Sequence, residues 1–188
     1  MGAEEPPCHH AVRCSLAIVV GPVSKWSDAI LDGFAAHIQW EVRTLVEQSA
    51  WFASKYDCKI PAGFENALED AALEGILLRL RRFNEFLGRS SGGRHDTDVT
   101  ARDWVRNWNA EVWLDPRIRA RIDWQVAHIS SFREWEIDWQ LCNHVLACCD
   151  ELVRFFGEIA DDERLAAFKD APELARSHAE KLRLQLSS

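Results

Sequence analysis

The clearest helical pattern in the chain is LEGILLRLRRFNEFL, residues 73–87. Its apolar residues recur at intervals of three and four, so they share one side of a helix and form a face to be buried. These apolar residues are Leu73, Ile76, Leu77, Leu80 and Phe83. Gly88 follows as a typical helix stop. The pattern predicts a long helix over residues 64–87.

The rest of the chain shows similar patterns, with little of the alternation that marks strands. Helix start signals are Ser24, Thr100 and the Asp115-Pro116 pair. Helices are predicted over residues 24–53, 64–87, 101–108, 115–128, 138–159 and 170–186, with an additional helical turn before the last. Residues 90–93, Ser-Ser-Gly-Gly, are predicted to form a loop. The sequence therefore predicts an all-α, single-domain helical bundle of five to six helices.

The 188 residues suffice for one domain with a sizeable core. Residues 1–24 are predicted to be a poorly ordered leader, and residues 25–188 a single helical domain. The apolar run at residues 16–20 is too short to span a membrane, and the acidic start differs from a secretory signal. We therefore expect no membrane partner and a cytoplasmic location.

The charge of the chain is uneven. The net charge is −8, which argues against a broad nucleic-acid-binding surface. Residues 79–133, however, carry +4, whereas the remainder carries −12. This distribution is compatible with a local anion-binding site in the middle of the chain.

A cluster of potential metal ligands lies at Cys142, His144, Cys148 and Cys149. On a helix, Cys142 and Cys149 share a face, but His144 does not. The pattern therefore favours buried thiols over a zinc site. We predict no metal and no cofactor.

The segment RIDWQVAH, residues 121–128, carries the strongest functional candidates. Arg121 and His128 lie seven positions apart, so both side chains emerge on one face of a helix. A guanidinium can hold a phosphate charge while an imidazole moves a proton. The alternative is a solvated arginine and a hydrogen-bonded histidine at a helix end. A similar spacing links Arg89 and His95 in the Ser/Gly loop, so only the helical context favours the first pair.

Three blocks in one order, at residues 73–87, 98–104 and 121–133, resemble an uncharacterised bacterial all-helical family. That family is similar to the HEPN superfamily (higher eukaryotes and prokaryotes nucleotide-binding). The resemblance implies a HEPN-like bundle that acts as a metal-independent ribonuclease or RNA-binding protein of toxin or defence type, and that forms homodimers. It implies that Arg121 and His128 are catalytic: His128 moves a proton as the RNA 2′-hydroxyl attacks its phosphate, and Arg121 stabilises the developing charge.

Three further residues are candidates for RNA or phosphate contact. Arg79 and Arg82 share a helix face, and either contact phosphate or form a salt-bridged outer face with Glu85. Trp124 follows Arg121 by one turn and either stacks a base or packs in the core. A second hypothesis is a non-catalytic helical protein-interaction module, because nine tryptophans are spread along the chain.

Overall fold

The structure of the chain is a computed structural model, and it describes residues 26–54, 65–88, 98–109, 111–127 and 141–187. Within these ranges the chain forms six α-helices and no strand, which confirms the predicted all-α bundle of five to six helices. The helices are α1 (Asp28–Ala53), α2 (Glu65–Gly88), α3 (Pro116–Ala127), α4 (Leu141–Glu158), α5 (Asp162–Ala166) and α6 (Ala171–Leu186). The predicted leader and the loop at residues 90–93 lie outside the described residues.

The predicted start of α1 at Ser24 is wrong, because the helix begins at Asp28 with Ser27 as its N-cap residue. Ser27 has an extended backbone, with φ −70° and ψ 154°, as an N-cap residue requires. Its carbonyl accepts hydrogen bonds from the N–H groups of Ile30 at 3.0 Å and Leu31 at 3.1 Å. The first helical turn is therefore fixed at this serine. The end of α2, the start of α3 and both bounds of α6 agree with the predicted ones to within one residue.

The helix predicted over residues 101–108 is only a 3₁₀ turn, Ala101–Asp103. Thr100 begins it as predicted, and its N–H donates to Oδ2 of Asp103 at 2.8 Å. The chain then leaves the helical path. The indole Nε1 of Trp108 donates to the carbonyl of Leu87 at 2.7 Å, so this segment docks on the end of α2.

The core lies where α4 packs against α6 and α2, and where α1 packs against α2 and α6. At its centre Phe155 of α4 is fully buried. Aromatic rings surround it at centroid distances of 5.2–6.4 Å: Phe86, Trp104, Trp108, Phe156 and Phe168. The helix α3 contacts α2 and covers its side. None of the described helices is long and apolar enough to cross a membrane.

Polar contacts join α1 to α6 and to the residue that precedes α6. The buried hydroxyl of Ser49 lies 2.7 Å from Nε2 of His178 and also donates to the carbonyl of Leu45 at 2.7 Å. Nearer the start of α1, the side-chain amide of Gln39 donates to Oδ1 of Asp170 at 2.7 Å. These contacts align the two helices along their length.

The stability of the fold is expected to depend on pH through His178. Burial lowers the pKa of this imidazole, and Lys181 lowers it further, so the unfolded chain binds the proton more readily. The contribution of His178 is fully present above a pH of about 6.5 and is lost as the pH falls below it, by at most about 1.4 kcal/mol per pH unit. Urea denaturation at a series of pH values above and below this point measures the change in the free energy of unfolding. His178→Gln should flatten the slope, and an unchanged slope would contradict the prediction.

Candidate functional site

The exposed face of α3 brings together two of the predicted site residues. Arg121 is exposed, and Trp124 is 54% exposed. Arg117, one turn earlier, is exposed on the same side of the helix. Trp124 is therefore a surface residue, and the three side chains form a cationic face with an aromatic ring at one end. We call Arg117, Arg121 and Trp124 the α3 face.

Two contacts hold α3 in this orientation. Ile122 is fully buried in the core, so the opposite side of the helix turns outward. Beside it, Oδ1 of Asp123 lies 3.0 Å from Nε of Arg81 on α2. This ion pair and the buried isoleucine fix the rotation of α3 against α2, and thereby place Arg121 at the surface.

His128 lies outside the described residues, so its distance from Arg121 stays a prediction. The helix α3 is described to Ala127, the residue before it. The structure thus places one member of the predicted catalytic pair, and the pairing rests on the spacing of the two residues.

The structure brings Arg79 and Arg82 together on one carboxylate, that of Glu41 on α1. This side chain is only 3% exposed. Nε of Arg79 lies 3.3 Å from Oε2 of Glu41, and a terminal nitrogen of Arg82 donates to Oε1. Arg79 is itself buried at 7% exposure, whereas the side chain of Arg82 is 48% exposed. Of the two arginines, Arg82 therefore has the more accessible guanidinium.

Further contacts fix Arg79 between α1 and α2. Its Nη1 donates to the carbonyl of Gly75 at 2.8 Å and to Oε1 of Gln48 at 3.1 Å. The helices are close here, since a Cβ at position 75 would lie 2.6 Å from Oε1 of Gln48. Burial lowers the pKa of Arg79, and the carboxylate of Glu41 opposes that effect. These contacts give Arg79 a structural role in joining the helices.

A cavity of about 290 Å³ opens between α1, α2 and residues 98–100, beside this ion pair. Its apolar lining consists of Phe34, Ile38, Phe83, Phe86 and Val99. Its polar lining consists of His37, Glu41, Arg82, Glu85, Asp98 and Thr100. Nε2 of His37 lies 3.4 Å from Oε1 of Glu41. The cavity thus combines aromatic walls with carboxylates, one guanidinium and one imidazole.

The sequence interpretation missed His37 and Glu41. A signal was present, because Glu41 stands among Ile38, Val42 and Leu45, which share the apolar side of α1. A carboxylate on such a face must be paired when it is buried. The partner could not be identified from sequence, since Arg79 and Arg82 lie on another helix about 40 residues away.

The cysteines of α4 lie in the core. Cys148 and Cys149 are buried, and burial raises the pKa of Cys149 to about 12, so its thiol stays protonated at neutral pH. Within the described ranges, no group of three His, Cys, Asp or Glu side chains could hold a metal ion.

Comparisons with family models, with curated proteins and with solved structures find no match to this chain.

Proposed function

We propose that the protein is a HEPN-like RNA-binding protein and metal-independent ribonuclease that contacts its substrate through the α3 face. The observation that supports this most is the exposure of Arg117, Arg121 and Trp124 together on one side of α3. Arginines bind the phosphates of a single strand, and an exposed tryptophan stacks on its bases. We therefore expect the α3 face to bind single-stranded RNA with little dependence on its sequence.

The charge distribution supports a local binding surface. The +4 of residues 79–133 contrasts with the −12 of the remainder, so a strand would be attracted to the central part of the chain and repelled elsewhere. Binding through phosphate contacts releases counterions and therefore weakens as salt rises. We expect a modest salt dependence, because the α3 face offers only two arginines.

In the proposed cleavage reaction, the 2′-hydroxyl of the RNA attacks the adjacent phosphorus and the 5′-oxygen leaves. His128 accepts the 2′-hydroxyl proton while water protonates the leaving 5′-oxygen, or the imidazolium protonates that oxygen while water accepts the 2′-hydroxyl proton, since an imidazole titrates near neutral pH. Arg121 stabilises the charge on the phosphoryl oxygens. Both products, a cyclic phosphate and a 5′-hydroxyl, form without a metal ion.

Binding is expected to fall when the α3 face is altered. Trp124→Ala should weaken binding of a fluorescently labelled single-stranded RNA by about 1–3 kcal/mol, which is the loss of one stacked base. Arg121→Ala should reduce the slope of log K against log salt concentration by about one, which is the effect of losing one phosphate contact. Arg119→Ala is the matched control, because Arg119 is exposed but lies two positions from both Arg117 and Arg121 and therefore points away from the α3 face. Equal effects of Arg119→Ala and Arg121→Ala would contradict the proposed face.

Cleavage is tested separately, with purified protein and RNA in the presence of a chelator. We expect the wild-type chain to cleave and both His128→Ala and Arg121→Ala to be strongly impaired. Cleavage that persists in both variants would reject the catalytic pair. RNA binding without any cleavage by the wild-type chain would reject the ribonuclease activity and support RNA binding alone.

One observation favours a second function, the protein-interaction module. Trp40 on α1 is 52% exposed, and its ring lies 6.1 Å from that of His37 and 5.2 Å from the Arg79 guanidinium carbon. An exposed tryptophan of this kind is common at interface hot spots. Sedimentation should then show self-association that Trp40→Ala removes; a monomeric wild-type chain would reject a homodimer through this residue.

A further inference from the structure

We propose that the groove between the second half of α1 and the first half of α2 binds Trp40 of a second copy of this chain, in an antiparallel pairing of two α1 helices. The inference rests on the second function proposed above, self-association through Trp40, and identifies the surface that receives this side chain. The lining of the groove, the symmetry of the pairing and the charges beside it support it.

The groove has a volume of about 330 Å³ and is mostly apolar. Its lining consists of Glu47, Gln48 and Trp51 of α1 and Leu68, Ala71 and Ala72 of α2. Leu68 is 46% exposed although it is apolar, and Ala71 is exposed as well. The two alanines leave space between the helices, and the larger apolar side chains of Trp51 and Leu68 border it. Such a groove suits an aromatic side chain of another molecule.

Trp40 is the side chain that the groove of a second copy can receive. It is half exposed, and its contacts with His37 and with the guanidinium of Arg79 hold the ring at the surface of its own chain. It lies seven residues before Glu47, about 10 Å along the helix axis, and does not line the groove of its own chain. The chain therefore carries both an exposed tryptophan and a groove that this tryptophan does not fill.

An antiparallel pairing of two α1 helices brings the tryptophan and the groove together. Glu47 and Trp51 follow Trp40 by seven and eleven positions, so the three lie along one side of α1. When position 45 of one helix lies opposite position 45 of the other, Trp40 of each copy meets Ala50 of the other, an exposed residue between Glu47 and Trp51. A twofold axis repeats every contact, so both tryptophans enter grooves at once.

The same register pairs opposite charges. It places Arg43 of each copy opposite Glu47 of the other. The side chain of Arg43 is 49% exposed, with Nη2 on Asp170 of its own chain. Glu47 is exposed, and no ion pair or hydrogen bond of its side chain is found in the part of the chain that the structure describes. Two ion pairs related by the twofold axis therefore favour this register over others.

Sedimentation velocity of the full chain at a series of concentrations measures the dissociation constant of the dimer. Trp40→Ala and Ala71→Glu should each raise it about thirtyfold or more, because each substitution removes the same hot-spot contact twice. Trp124→Ala and Ala120→Glu are the matched controls, since both residues are exposed on α3 and lie outside the groove. These two variants should leave the dissociation constant unchanged.

Mixing two weakened variants tests which surfaces meet. Trp40→Ala keeps an intact groove and Ala71→Glu keeps an intact tryptophan, so a heterodimer of the two has one complete contact, whereas each homodimer has none. The mixture should therefore associate more tightly than either variant alone. Likewise, Arg43→Glu and Glu47→Arg should each weaken association by placing like charges opposite each other, and their mixture should regain both ion pairs.

The groove is rejected if Trp40→Ala abolishes association while Ala71→Glu behaves like Ala120→Glu, or if the mixture of Trp40→Ala and Ala71→Glu associates no better than its components. Self-association through Trp40 would survive either result, whereas a monomeric wild-type chain would reject both. Circular dichroism of each variant confirms that the helices are retained, so a loss of association reports on the surface. RNA binding is measured separately, and Trp40→Ala should leave it unchanged.

Discussion

Replacement of Trp108 by alanine is expected to lower the free energy of unfolding by about 3–5 kcal/mol, the range found for buried tryptophan and phenylalanine. Trp108 is 1% exposed, and its ring lies 5.5 Å from that of Phe155 at the centre of the core. The guanidinium carbon of Arg154 covers the ring at 3.9 Å. The substitution removes all of these contacts and leaves a cavity in the core.

Trp108→Ala also removes a donor. The indole Nε1 satisfies the carbonyl of Leu87 near the end of α2, and this bond fixes residues 104–109 to the bundle. Trp108→Phe keeps an aromatic ring but leaves that carbonyl without the indole, which costs about 1–3 kcal/mol. The free energy of unfolding of Trp108→Phe should therefore lie between those of the wild-type chain and Trp108→Ala.

Urea denaturation monitored by circular dichroism measures these differences. Trp124→Ala is the matched control, since it removes the same side chain from a surface position, and its effect is expected to stay within about 0.5 kcal/mol. Similar losses for Trp108→Ala and Trp124→Ala would contradict the described packing. The control also links stability to function, because Trp124→Ala is expected to weaken RNA binding without unfolding the chain.

Glu41→Gln is expected to destabilise the fold by about 3–5 kcal/mol, as is typical when one partner of a buried ion pair is removed. Glu41 neutralises Arg79, and both are buried. The amide of glutamine can accept a hydrogen bond but carries no charge. The guanidinium of Arg79 would then stay in the interior without a counter-charge.

Two further variants separate the charge from the size of the side chain. Arg82→Gln should cost about 1 kcal/mol or less, because Arg82 is half exposed and Arg79 still pairs with Glu41. The double variant Glu41→Leu with Arg79→Met should lose much less stability than the sum of the two single variants, since it removes both charges together. Additive losses, measured by urea denaturation, would show that the ion pair is not the cause.

The helices could be predicted where one local signal marks their ends. The Asp115-Pro116 pair begins α3 because Oδ1 of Asp115 accepts the N–H of Arg117 at 2.7 Å, a contact two residues away. Gly88 likewise lies at the end of α2. The segment around Trp108 could not be predicted, since its departure from the helix depends on the Leu87 carbonyl, 21 residues earlier.

The site was predictable only in part, for the same reason. The exposure of Arg121 follows from the period of α3, which turns Ile122 inward. The sequence also marked Arg79 and Arg82 as one face of α2. Their shared partner on α1 depends on how the two helices pack, and no local pattern specifies a contact between residues about 40 positions apart.

The pairing of α1 with α6 has a consequence for synthesis of the chain. Gln39 and Asp170 are separated by 131 positions, so α1 leaves the ribosome well before its partner is made. At about 5–20 residues per second this interval is roughly 7 to 26 s. During that time the side of α1 that α6 later covers is exposed to water and to other chains. A nascent chain paused before residue 171 is therefore expected to need a chaperone, and completion of α6 to end that need.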